Sequence, residues 1–523
     1  MKKNINSFFY ILRYIISVIG FVFFIQPHSL FAQKKNSLPN IVYILADDLG
    51  YGDVSVNNPK GKINTPHIDH LAEQGMRFTD AHTTSSVCTP SRYSILTGRY
   101  PWRSRLQVGV LRGYSRTLIE EGLPTVASLL KTASYKTAVV GKWHLGLDWV
   151  LKDAYKDSID PKYNKNNMYG ILNEMNPAQI DFSKAPTRGP NTQGFDYSFI
   201  LPASLDMPPY CYVENDRLTE MPTSYTDGNK RDSDYTGPFW RAGLMTPSFD
   251  FYDVLPYFTR KANDFLVKQV GAANPFFLYF ALPAPHTPWV PTNGYKGTSK
   301  AGEYGDYVLE VDDAVGKILH TLDSLGFSKN TLVVFASDNG PYWRENFIKQ
   351  YDHKAAGEFR GMKGDAYEGG HRVPFIVRYP NKIKAGSVSN ATTTLANWMA
   401  TCAELINNHS EKFQTEDSYS ILPILLGKSA TIASQTAIVN ISSKGTFDIR
   451  KGPWKLITKL GSGGFTVPSD IKPKPGEPIG QLYNLEEDIH EDHNLYNQYP
   501  DKVKELTELL EKIKKAKKRQ FKV

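Results

Sequence analysis

The sequence predicts an α/β protein, with a large, mostly parallel β-sheet sandwiched by helices and a smaller α+β subdomain at the C-terminal end. Three observations predict this. Short apolar runs rich in β-branched and aromatic residues recur through the first 380 residues without the alternation of a half-exposed strand. Several are separated by segments of helical period, the pattern of a parallel sheet covered on both faces. Beyond about residue 427 the pattern changes to short strand-like pieces and one amphipathic helix.

Residues 1–32 read as a secretory signal: Lys2 and Lys3, an apolar run from Ile15 to Ile25, then Leu30, Phe31 and Ala32 before a cleavage site. The run is about a dozen residues against the roughly 20 that span a bilayer. The expectation is export to a periplasmic or secreted location without stable membrane insertion. Asn40–Ala46 is the first core strand, and Thr65 to Gly75 the first helix, with Thr65 as N-cap and Pro66 at its first position. Further strands are expected at Thr137–Val140, Phe276–Ala281, Thr331–Ser337 and Pro374–Tyr379. A long helix from Tyr304 to Leu325 places Val308, Val311, Val315, Ile318, Leu319 and Leu322 on one face, leaving Glu310 and Asp313 as ordinary helix-face acids.

Residues 149–259 dissolve into Asn, Pro, Gly and Tyr, with Tyr155, Tyr163, Tyr169, Tyr197, Tyr210, Tyr212 and Trp240 scattered through them. This loop-rich stretch is expected to present aromatics for stacking on sugars or other flat ligands. A domain boundary is placed at 427/428, dividing a catalytic unit of 33–427 from a subdomain of 428–523. The subdomain is expected to contain strands at Thr436–Ile441, Trp454–Thr458 and Gln481–Tyr483 and a helix from Asp501 striped by Val503, Leu506, Leu509, Leu510 and Ile513.

The 523 residues, 41% hydrophobic and 22% charged, suffice for a large core and exclude wholesale disorder. The net charge of +8 does not mark a nucleic-acid binder: three positive charges lie in residues 1–32 and seven in 512–523, neither segment carrying an acid, so the body retains about −2. Only Cys88, Cys211 and Cys402 occur, which excludes a disulfide scaffold and leaves open whether Cys211 and Cys402 pair.

Chemistry collects where the apolar runs end. Asp47 and Asp48 follow the first, Gly141-Lys142-Trp143-His144 the second, Pro285-His286 the third and Asp338-Asn339-Gly340 the fourth. In an open parallel sheet these points share the carboxyl edge, where ligands bind. Asp47, Asp48, Asp338 and Asn339 offer hard oxygen ligands, which suits Ca²⁺, with Mg²⁺ as the alternative, and not zinc. Taken singly, an Asp-Asp after a strand is a common helix cap and Asp-Asn-Gly a common turn.

Cys88-Thr89-Pro90-Ser91-Arg92, followed by Leu96-Thr97-Gly98-Arg99, resembles the signature of the formylglycine-dependent sulfatases of the alkaline phosphatase superfamily. Gly141-Lys142-Trp143-His144-Leu145-Gly146, Gly361-Met362-Lys363-Gly364 and Glu368-Gly369-Gly370-His371-Arg372-Val373-Pro374 resemble its further segments, in family order from about Asn40 to Pro380. The resemblance implies an alkaline phosphatase-like fold and oxidation of Cys88 to an aldehyde by a formylglycine-generating maturation enzyme. It implies a cation held by Asp47, Asp48, Asp338, Asn339 and the modified residue 88. It also implies that one hydroxyl of the hydrated aldehyde attacks sulfur while the second later expels sulfate. Lys142 and Lys363 would stabilise the sulfuryl oxygens, and Arg92 would hold the nucleophile and ligands in register. His286 would protonate the leaving alcohol and His144 assist collapse of the diol.

The run of sequence is similar to bacterial exo-acting sulfatases that remove 6-O-sulfate from galactose or N-acetylgalactosamine units of glycans, through Tyr51-Gly52-Asp53, Arg99-Tyr100-Pro101-Trp102-Arg103 and Ala203 to Tyr210. Asp206, Trp102 and Arg103 are the expected contacts to a sulfated mono- or oligosaccharide. Two other readings stand beside this one. The first is a phosphate or phosphonate ester hydrolase of the same superfamily, which a Ser or Thr nucleophile and a second set of metal ligands would mark. The second is a sulfoglycan-binding protein without turnover, which an unoxidised Cys88 would mark.

Overall fold

The computed structural model describes residues 38–155, 174–229, 236–413, 415–432, 435 and 437–516. The expected signal segment, Tyr163, Tyr169 and the end of the Lys-rich tail lie outside the described residues. Ten strands form one sheet in the order Ser387–Ser389, Met76–Phe78, Phe375–Arg378, Thr331–Ser337, Asn40–Ala46, Phe276–Ala281, Lys136–Lys142, Tyr197–Leu201, Val213–Glu214 and Arg217–Leu218. The five from Thr331–Ser337 to Tyr197–Leu201 are parallel and buried on both faces. Phe375–Arg378 is the fourth expected partner run but lies antiparallel to Thr331–Ser337. An apolar run records burial on both faces and not direction.

Alternate residues of the central strands serve opposite faces. Val42, Ile44, Ala138, Val140, Leu278, Phe280, Val333 and Phe335 meet the apolar stripes of helices Pro66–Glu73, Val254–Val267 and Gly302–Ser324. Tyr43 turns the other way, onto Tyr279 and Trp398, where Trp398–Leu405 packs with Cys88–Thr97 and Val126–Lys131. Each fully buried Val, Leu, Ile or Phe is worth roughly 1.5–3 kcal/mol, so this centre carries the fold. No helix among the described residues is long and apolar enough to cross a membrane.

The aromatics of the 149–259 stretch are mostly not a sugar platform. Tyr197 lies in the sheet, Tyr210 and Tyr212 are buried in the main core, and Trp240 stacks on Phe251 at 4.1 Å. Tyr155 is the exposed one among the described residues of that group. All three cysteines are buried free thiols, so Cys211 and Cys402 are not bonded.

A separate antiparallel sheet runs Ile438–Ile441, Phe447–Lys451, Trp454–Ile457, Gln481–Asn484, and Val503, Leu506 and Leu510 of helix Pro500–Lys515 close its core. It belongs to the same compact unit, Pro39–Val523. Its first strand meets the approach to Cys88: Ser86 N–H donates to Ile441 O at 3.2 Å, and Ile441 N–H to Thr84 O at 3.1 Å. The strand Phe447–Lys451 escapes the sequence reading because Asp448 and Arg450 break its apolar character. Both enter a buried polar network.

Candidate active site

Strand register assembles the site. Ala46 pairs with Ser337, Leu45 with Ala281 and Ala281 with Gly141, so Asp47, Asp338 and Lys142 leave the sheet side by side. Gly141 has φ 120°, and a Cβ there would lie 1.8 Å from Ala281 O, so only glycine lets this strand end so close to its neighbour. Cys88 comes from the other direction, as the first residue of helix Cys88–Thr97, whose N-terminus favours negative charge. Asp48 (φ 64°) and His144 (φ 57°) both hold left-handed backbone conformations, which few residues other than glycine adopt and which cluster at functional sites.

The side chains converge. Cys88 Sγ lies 3.5 Å from Asp47 Oδ1 and 4.0 Å from Asp48 Oδ1. Lys142 Nζ donates to Asp47 Oδ2 at 2.5 Å and to Ser204 Oγ at 3.1 Å. Lys363 Nζ donates to Asp48 Oδ2 at 2.7 Å. Arg92, wholly buried, grips Asp338 Oδ2 through Nε at 2.8 Å and the Lys142 carbonyl through a terminal nitrogen at 3.0 Å and stands 3.7 Å from Asp47 Oδ1, tying three strand ends together. Asn339 Nδ2 donates to Asp48 Oδ1 at 2.7 Å. His286 Nε2 stands 3.6 Å from Asp48 Oδ2.

Three carboxylates and three fixed cations balance here. Burial works against the charge of Asp47, yet Lys142, His286, Arg92 and Lys363 outweigh it and hold its carboxyl well below the usual range. Asp338 goes the other way, pushed to about 7 by burial and then by the Asp47 charge. Burial, opposed by Lys142 and Lys363, raises the Cys88 thiol well above its ordinary value, so as a thiol it is protonated and a poor nucleophile. His144 is held neutral by burial, Lys142 and Arg92. Its Nε2 donates to Leu111 O at 2.9 Å, while its buried Nδ1 has no hydrogen-bond partner.

The residues fit a hard divalent cation. Asp47, Asp48 and Cys88, with His286, present ligand atoms within 4.8 Å of one another, and the buried Oδ1 of Asn339 is likewise without a partner. Three of these five donors, Asp47, Asp48 and Asn339, are oxygens, the hard set that suits a divalent cation.

All ten catalytic and metal residues named from sequence, Asp47, Asp48, Cys88, Arg92, Lys142, His144, His286, Asp338, Asn339 and Lys363, meet here. Asp206 stands in the adjoining wall: it is buried, one carboxylate oxygen bonds Arg241, and the other has no partner. Burial raises its pKa, but Arg241, His286 and Lys142 together hold it below the ordinary value.

Trp102 and Arg103 are corrections. Trp102 stacks on Tyr100 at 4.3 Å and meets Phe447 within the C-terminal core. Arg103 is spent on Asp417, at 2.6 and 2.7 Å, and on the carbonyls of Ile513 and Ala516. Neither guanidinium nor indole is available to a sugar. Ser204, missed from sequence, links Lys142 to His286 Nδ1, 3.3 Å away.

The chain matches the sulfatase family over residues 39–408. It is 35% identical over 502 residues to an N-acetylgalactosamine-6-O-sulfatase of Bacteroides thetaiotaomicron, covering 90% of this chain and 91% of that protein. It is 31% identical over 405 residues to the N-acetylgalactosamine-6-sulfatase of Mus musculus, covering 76% and 68%. A solved Bacteroides thetaiotaomicron structure from work on the metabolism of multiple glycosaminoglycans superposes with a TM-score of 0.77 at 33% identity, covering 91% of this chain and 99% of that one. With the nucleophile segment, the carboxylate cluster and both lysines at one sheet edge, the chain belongs to the sulfatase family and is a sulfuric ester hydrolase.

Proposed function

We propose that the protein is an exported enzyme, periplasmic or secreted, that removes 6-O-sulfate from terminal galactose or N-acetylgalactosamine units of sulfated glycans. The observation that carries the reaction is the convergence of Cys88, Lys142, Lys363 and His286 on the Asp47–Asp48 pair. The sugar rests on the names of the two relatives. Asp47, Asp48, residue 88, Asp338 and Asn339 would hold Ca²⁺ or, alternatively, Mg²⁺, which when bound polarises a sulfuryl oxygen and turns a balanced site net positive toward an anionic ester. Cys88, oxidised by a formylglycine-generating maturation enzyme, supplies the attacking hydroxyl and a second one for sulfate release.

The chain's own groups do the rest. Lys142 and Lys363 sit where the spread negative charge of the sulfuryl group develops. His286 Nδ1 donates to Thr287 O at 2.5 Å, which leaves Nε2, facing the Asp48 side, as the atom that exchanges a proton; it delivers one to the leaving alcohol from the doubly protonated ring, the form that Asp48 and Asp47 favour. His144 keeps a bare Nδ1 as a proton acceptor. The unpartnered oxygen of Asp206 is suited to a sugar hydroxyl, and loss of such a charged hydrogen bond costs about 1.5–3 kcal/mol. Asp206→Ala should therefore lower kcat/KM roughly 10- to 100-fold, and an unchanged value would remove it from the sugar pocket. The phosphate or phosphonate reading is disfavoured because the nucleophile position is Cys88, not Ser or Thr, and the ammonium groups of Lys142 and Lys363 stand beside Asp47 and Asp48 in the space a second metal would take.

The test is free sulfate released from singly sulfated galactose, N-acetylgalactosamine and N-acetylglucosamine, using protein whose residue 88 mass confirms the aldehyde and Cys88→Ala as blank. Release only from 6-O-sulfated galacto-configured sugars is expected. Release from none, with the aldehyde present, would overturn the reading.

A further inference from the structure

The loops beside Lys363 and Asp206 touch one another in turn. Gly113 packs on the Pro208 carbonyl, and Gly109 N–H donates to Ser443 O at 3.1 Å. Ser443 N–H donates to Gly364 O at 2.9 Å, and Lys363 N–H to Pro341 O at 2.8 Å. The C-terminal loop that follows Leu460 thus reaches the side of Lys363. Gly464 lies against Gly364, where a Cβ would stand 2.1 Å from Gly364 O, so the two backbones touch. Beside them Phe465 is 41% exposed, a large apolar ring turned outward next to a catalytic lysine.

This ring is not a loose loop tip. Phe465 N–H donates to the buried Asp365 Oδ1 at 2.7 Å, Thr466 N–H to the same oxygen at 3.0 Å, and Ser462 Oγ bridges Gly464 N–H and Thr466 O. Tyr342, on the loop that leaves Asn339, meets Phe465 edge to face at 5.8 Å. An aromatic held this firmly and left exposed at the rim offers its face to the C–H surface of a ring at little cost in conformational entropy.

We propose that Phe465, braced by Tyr342, is the platform for the pyranose next to the sulfated sugar, so that the C-terminal subdomain selects glycan chains over sulfated monosaccharides. The inference rests on the proposed glycan sulfatase activity and deepens it. Its test compares kcat/KM on N-acetylgalactosamine 6-sulfate with that on an oligosaccharide carrying the same unit at its non-reducing end, for the wild type, Phe465→Ala and Phe465→Tyr. The oligosaccharide-to-monosaccharide ratio should fall about tenfold in Phe465→Ala and be kept by Phe465→Tyr. A ratio unchanged in Phe465→Ala overturns the platform even if both rates drop. Calorimetric binding of the oligosaccharide to Cys88→Ala, with and without Phe465→Ala, gives the same answer without turnover: affinity should weaken about tenfold, and equal affinity overturns the proposal. Absence of wild-type turnover on both substrates would instead overturn the parent reading.

Discussion

His286 is the residue on which the chemistry can be divided most sharply. Burial, and after it Lys363, favours its neutral form, while Asp48 and Asp47 favour the charged one. The proton-donor role proposed for it matters only when the leaving group is a poor one. His286→Ala should therefore lose about 10²–10⁴-fold in kcat on a sugar sulfate and far less on 4-nitrophenyl sulfate, whose phenolate leaves without a proton. Equal losses on both substrates would show that His286 positions Asp48 or Ser204 and donates nothing. Residues of this kind were legible because each follows an apolar run, and the rule would also have found Ser204. It stands three residues beyond Tyr197–Leu201, the fifth parallel strand. That strand was hidden because its surroundings, rich in Asn, Pro and Gly, read as loop. Trp102 and Arg103 misled for the opposite reason: an Arg and a Trp on a loop look like ligands for a sugar until a distant Asp417 and a distant Phe447 are seen to occupy them.

Between elements, buried charge sets the behaviour. Arg103 joins the loop after helix Cys88–Thr97 to Asp417 and to the last turn of helix Pro500–Lys515, with both ionised groups nearly wholly buried. Breaking such a pair costs about 3–5 kcal/mol because the partner's charge is left uncompensated. Arg103→Ala should lower Tm by several degrees in calorimetry while the surviving folded enzyme keeps the wild-type KM, whereas a raised KM at unchanged Tm would restore Arg103 to the sugar site. Strand Phe447–Lys451 carries a second case. Burial, opposed by Lys455 and aided by Glu368, pushes the Asp448 carboxyl up to about 8. The unfolded chain ionises this group near 4 and the folded one near 8, so its stabilising contribution is full below pH 4 and is lost as pH rises to 8. Asp448→Asn mimics the neutral acid. The Tm of the variant relative to wild type should rise between pH 5 and pH 8, and a constant difference across that range would show that Asp448 is ionised throughout. The charged residues that make this strand useful are also what concealed it in the sequence.

Across the whole molecule, the sheet edge is a place where chain segments some 290 residues apart are held against mutual repulsion. Asp47, Asp48 and Asp338 enter from two adjacent strands, and the helix bearing Cys88 is pinned from behind by the C-terminal sheet through Ile441. Sequence shows the two sheets as separate patterns but not this seam, since hydrogen bonds from a strand edge leave no trace in composition. A cation bridging these carboxylates would bind the folded protein and not the unfolded chain, adding about 2.7 kcal/mol at a hundredfold excess over its Kd. Exhaustive chelation should accordingly lower both Tm and sulfate release, and Ca²⁺ should restore both. Asn339→Ala removes a neutral donor whose oxygen has no other partner, so it should shrink the calcium-induced rise in Tm and require about tenfold more Ca²⁺ for half-maximal activity. The Tm readout is independent of the aldehyde, so it tests the ion site even in protein whose Cys88 is still a thiol. A Tm indifferent to chelator and to added Ca²⁺ or Mg²⁺ would mean that Lys142, Lys363 and Arg92 alone neutralise the three carboxylates, and the assignment of this edge as a cation site would fall.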